Sequence, residues 1–75
     1  MTELPALEQV LLSAEDHVAT VMLNRPEQRN PLSGQMLSDL GAAFEWIKQE
    51  PEVRVAVLTG AGDRVFCAGA DLSSI

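Results

Sequence analysis

Apolar residues change their spacing twice along this chain, and the changes divide it into a hairpin, a helix and a further strand. Two short segments of β-type residues come first, Val10-Leu11-Leu12-Ser13 and Val18-Ala19-Thr20-Val21-Met22-Leu23, with the polar stretch Ala14-Glu15-Asp16-His17 between them. Strand, polar turn and strand predict a β-hairpin. In its second arm Val21 and Leu23 alternate with Thr20 and Met22, an incomplete two-residue period that fits a strand covered on both faces. His17 falls in the turn, where solvation is expected rather than catalysis, because a functional histidine needs a partner.

Asn24-Arg25-Pro26-Glu27-Gln28-Arg29-Asn30-Pro31 has two prolines, two asparagines and no apolar period, so it reads as a loop. The spacing then becomes helical. From Ser33 to Glu50 the residues Met36, Leu37, Leu40, Ala43, Phe44 and Ile47 recur every three or four positions, leaving Gln35, Asp39, Glu45 and Lys48 outside the stripe. Ser33 is the expected N-cap and Pro51 the stop. Gly41 weakens the middle of this helix by about 1 kcal/mol and suggests close packing on a neighbour. Trp46, at the edge of the stripe, reads as an amphipathic core or interface residue.

Val53-Arg54-Val55-Ala56-Val57-Leu58-Thr59 is rich in β-branched residues and breaks at Gly60-Ala61-Gly62-Asp63. A buried strand running into a glycine loop is predicted. Strand, helix and strand in that order imply a right-handed parallel crossover. Residues 1–9 are expected to be a loose lead.

Size and charge narrow the function classes. A chain of 75 residues is one small domain at most, burying only about 60% of its unfolded surface. One cysteine, Cys67, and one histidine offer no internal staple or zinc site, and no acidic cluster has calcium-loop spacing. Hydrophobic residues make up 47% and charged ones 21%, the balance of a globular protein. A net charge of −6 argues against nucleic acid and anionic membrane surfaces. The amino terminus lacks a basic segment followed by a long apolar one, so a cytoplasmic protein is expected.

Candidate chemistry concentrates in Ala68-Gly69-Ala70-Asp71. Small side chains admit a ligand close to the backbone, and a helix start leaves amides able to attract an oxyanion. A tight strand-to-helix turn that binds nothing fits the same residues, with Asp71 as N-cap. Gly60-Ala61-Gly62 does not complete a dinucleotide fingerprint, because Val65 stands where the third glycine belongs, and no phosphate-loop Gly-Lys-Ser/Thr triplet occurs.

Three stretches together carry a resemblance: Leu23-Asn24-Arg25-Pro26-Glu27-Gln28-Arg29-Asn30-Pro31-Leu32-Ser33, Val55-Ala56-Val57-Leu58-Thr59-Gly60 and Phe66-Cys67-Ala68-Gly69-Ala70-Asp71-Leu72. In order and spacing the chain resembles the N-terminal third of the crotonase (enoyl-CoA hydratase/isomerase) superfamily. The resemblance implies an α/β fold, here the ββαβ start of the ββα spiral, incomplete over residues 1–75. It implies Ala70 as a backbone oxyanion-hole donor to an acyl thioester, with Ala68, Gly69, Asp71 and Leu72 lining the coenzyme A site. Gln28 and Arg29 are the implied phosphate neighbours, although a solvated loop arginine contributes little. Pro31 stands where the family commonly has alanine, and it restricts Asn30.

The implied parent is an enoyl-CoA hydratase that forms a trimer or a pair of trimers, takes coenzyme A only as part of its thioester substrate and needs no metal. An isomerase or another crotonase chemistry is the alternative within the family. The family's second oxyanion amide and catalytic carboxylates have no counterpart here, and Glu27, Glu45, Glu50 and Glu52 read as solvated. Outside the family, the alternative is a complete small interaction module without catalysis.

Overall fold

A computed structural model describes residues 3–62 together with the backbone of Gly69–Ala70. Strand β1 (Val10–Glu15) turns directly into β2 (Val18–Leu23), antiparallel and in register from Val10 opposite Leu23 to Glu15 opposite Val18. The turn is only Asp16-His17, with φ of 52° and 68°. Two central residues at positive φ match the right-handed twist of the paired arms. After β3, a two-residue strand at Pro31–Leu32, helix α1 (Gly34–Gln49) carries the chain across to β4 (Val55–Gly60), which lies parallel to β2. The main sheet has the order β1-β2-β4, with β2 and β4 parallel neighbours joined through α1.

Helix α1 covers one face of the hairpin. Val10 on β1 and Ala19, Val21 and Leu23 on β2 point toward it and are buried with Met36 and Ala43, while Leu7, Leu12, Leu32, Leu40 and Ile47 pack around this cluster. The register explains the selection, since Val10 faces Leu23 and Leu12 faces Val21 on a single side of the pleat. On the other side Val18, Thr20 and Met22 are half-buried, as suits the central strand.

Ser33 is the N-cap: its Oγ accepts from Met36 N at 3.0 Å and its hydroxyl donates to Gln9 Oε1 at 2.6 Å. Several expectations need correction. Among the described residues β4 is an edge strand, not a buried one, with Val55, Val57 and Leu58 exposed. Close packing does not explain Gly41, because a Cβ there meets nothing within 4 Å. Asp39 lies in the covered face of α1, where its Oδ2 accepts from Glu8 N at 3.0 Å and Gln9 N at 2.6 Å. Those bonds, with Trp46 Nε1 donating to Glu3 O at 3.1 Å, pin the lead to the helix. Residues 3–9 therefore have no regular element yet are tied down.

Candidate functional site

The loop between β2 and β3 is built by its own backbone. Pro26 opens a single 3-10 turn over Pro26–Gln28, closed by Gln28 N to Arg25 O at 3.1 Å and Arg29 N to Pro26 O at 3.1 Å. Arg29 and Asn30 then reverse the chain at φ of 65° and 51°. Pro31 restricts Asn30, and the residue takes the left-handed region, which asparagine tolerates better than most side chains. Asn30 N donates to Arg25 O at 2.8 Å, and Arg25 N donates back to Asn30 Oδ1 at 2.7 Å.

Both loop candidates lie on this turn. Gln28 is exposed, and its Oε1 accepts from Arg25 Nε at 3.1 Å, so the side chain is oriented along the loop. Arg29 is exposed at the turn's end. Two arginines against the single carboxylate of Glu27 make the segment locally basic in a chain of net charge −6.

The second half of the site reaches the loop through a short parallel pair. Strand β3 runs beside β5 (Gly69–Ala70), with Pro31 opposite Gly69 and Leu32 opposite Ala70. Gly69 and Ala70 are thereby brought next to the turn that carries Gln28 and Arg29. Ala68, Asp71 and Leu72 lie outside the described residues.

Other groups singled out in the sequence sit elsewhere. His17 Nδ1 donates to Glu52 O at 2.7 Å and lies 3.7 Å from Glu52 Oε2, at the far end of β2 from the loop. It fastens the hairpin turn to the segment before β4, which Arg54 N also reaches through His17 O at 2.8 Å. Glu50 is not solvated but 4% exposed, with its Oε1 accepting from Glu52 N at 3.3 Å. Glu45 accepts from Gln49 Nε2 at 2.6 Å on the helix surface. Among the described residues no three of His, Cys, Asp and Glu cluster as metal ligands, and no helix is long and apolar enough to cross a membrane.

Residues 13–75 match the family model of enoyl-CoA hydratase/isomerase. The chain belongs to that family, within the crotonase superfamily. It is 46% identical over 63 residues to (E)-benzylidenesuccinyl-CoA hydratase of Thauera aromatica, covering 84% of this chain and 25% of that protein. It is also 38% identical over 73 residues to 3-hydroxyisobutyryl-CoA hydrolase 1 of Arabidopsis thaliana, covering 97% of this chain and 19% of the relative. The crystal structure of an enoyl-CoA hydratase/isomerase from Mycobacterium paratuberculosis superposes with a TM-score of 0.85 at 37% identity, over 91% of this chain and 26% of that one. The mixed strand and helix architecture is thus the start of the crotonase fold. The chain spans about a quarter of the length of the hydratase it matches.

The sequence pattern does not mark Asn30 as the residue the loop is built around, nor Gly62 as one that packs on that loop. Asn30 stands inside the motif that carries the resemblance. The Asn-Pro dipeptide was its only local signal, because its partner Ala61 is 31 positions away.

Proposed function

We propose that this chain forms the acyl-CoA-binding portion of an enoyl-CoA hydratase, in which the Ala70 amide is one donor of the oxyanion hole. The observation that carries the reading is the β3–β5 pair, which sets Gly69 and Ala70 beside the locally basic turn of Gln28 and Arg29. A thioester oxygen at one end and coenzyme A phosphates at the other require a small-residue backbone and cations on one surface. As a conjugated thioester accepts water at its β-carbon, negative charge develops on the carbonyl oxygen, and a fixed N–H stabilises that enolate more than it does the ground state.

Proton transfer to and from water requires an acid and a base. In this proposal those groups come from the three quarters of the hydratase's length that the chain does not span. A hydrolase and a hydratase both match the same stretch, which supports placing the choice of reaction outside it. Coenzyme A enters as part of the substrate, with Ala68, Asp71 and Leu72 lining its path. A cytoplasmic trimer or pair of trimers completes the proposal.

The test replaces the matching quarter of the Thauera hydratase with this chain and compares Ala70 with Ala70→Pro, which has no N–H. Turnover should fall roughly 10²- to 10³-fold, the usual cost of one oxyanion donor. Equal turnover in a folded variant would remove Ala70 from the site.

A further inference from the structure

Asn30 is 0% exposed, although it sits in a polar surface loop. Its carboxamide works in two directions. Oδ1 accepts from Arg25 N at 2.7 Å, closing the loop on itself, while Nδ2 donates to Ala61 O at 3.0 Å, just beyond β4. Ala61 is itself fixed, since its N–H donates to Leu23 O at 2.7 Å at the end of β2. The adjacent Gly62 lies against Pro26, so close that an added Cβ would come within 3.0 Å of the proline Cβ. The residue after Asn30 is Pro31, the first of the β3–β5 pair.

We infer that Asn30 is a positioning residue, whose side chain locks the Arg25–Asn30 loop onto Ala61 and so sets where β3 meets Gly69–Ala70. The relevance to catalysis rests on the acyl-CoA reading above; the positioning itself does not. A buried carboxamide bonded at both ends fixes the loop in one direction and at one height. Its loss leaves a buried carbonyl without its donor and frees the loop to shift along the sheet edge. The left-handed backbone at φ 51° adds a second demand, which glycine meets without the side chain.

Two variants of the full 75-residue chain separate these contributions. Asn30→Asp keeps an acceptor for Arg25 N but sets a carboxylate oxygen against the Ala61 carbonyl, and Asn30→Gly keeps the backbone freedom while removing both bonds. Each is labelled with ¹⁵N and ¹³C, examined for cross-strand contacts by NMR, and titrated with crotonyl-CoA.

The expected result is loss of the Leu32–Ala70 contact in both variants, while the Val21–Leu58 contact of the main sheet persists, together with about tenfold weaker binding. Retention of the Leu32–Ala70 contact in both variants would overturn the inference. So would equal loss of both contacts, which would make Asn30 a general stabiliser. If the unsubstituted chain does not bind crotonyl-CoA but the Leu32–Ala70 contact still depends on Asn30, the positioning role stands and the acyl-CoA reading fails.

Discussion

Gly62 has φ 89°, and its Cα faces the Pro26 ring, so two separate constraints exclude a side chain there. An alanine would incur roughly 1–2 kcal/mol for the backbone alone, and neither the proline ring nor the turn can move away without disturbing the loop. We expect Gly62→Ala to lower the melting temperature by at least about 4–8 °C, the shift that ~1 kcal/mol produces in a domain this small. Unchanged melting would show that Pro26 and its turn yield freely. The buried carboxylates are also matters of single residues. Helical spacing puts Asp39 outside the apolar stripe, and Glu50, at the end of the helix, reads as solvated, yet both are buried. Backbone N–H groups at Glu8, Gln9 and Glu52 supply the hydrogen bonds that burial requires. Nothing local in the sequence announces the Asp39 donors, which lie 30 and 31 positions away.

Helix α1 shows how a regular element was legible while its fine adjustments were not. Ser33, the three-to-four spacing and Pro51 predicted its limits, and the observed Gly34–Gln49 follows with Ser33 as cap. Gly41 lies on the exposed side, with nothing near the position of a Cβ. Gly41→Ala should therefore stabilise the chain by about 1 kcal/mol, the helix-propensity difference, and raise the denaturant midpoint with no change in slope. A destabilised variant would mean that a Cβ at position 41 meets a neighbour within the chain itself. The hairpin was legible for a related reason, as β-type runs broken by polar residues leave few alternatives. The site was legible mainly through its motifs. Strands β3 and β5 have two residues each, too few for any period to register, and their pairing joins positions 38 apart. The short pair depends on tertiary fixation by Asn30 and Ala61 rather than on strand propensity.

Across the whole molecule, burial is uneven, and the unevenness follows the order of the sheet. Helix α1 covers the β1–β2 face, leaving β4 at the edge of the sheet among the described residues, with Val55 at 54%, Val57 at 44% and Leu58 at 47% exposure. The expectation of a buried strand came from its β-branched run, a composition that reports suitability for burial rather than the presence of a cover. Leu37 and Phe44 on α1 are exposed as well. Val55–Gly60 contains no charged residue and no proline, so the edge lacks the usual devices against strand addition. Net charge opposes association at long range, yet it is screened beyond roughly 8 Å at physiological salt, and strand pairing operates at about 4.8 Å. The 75-residue chain should therefore self-associate as concentration rises, and more strongly at higher salt. Val57→Lys places a charge at the centre of the edge and should shift sedimentation profiles back toward monomer. A chain that stays monomeric at every salt concentration, with or without the lysine, would mean that the β4 edge is already protected.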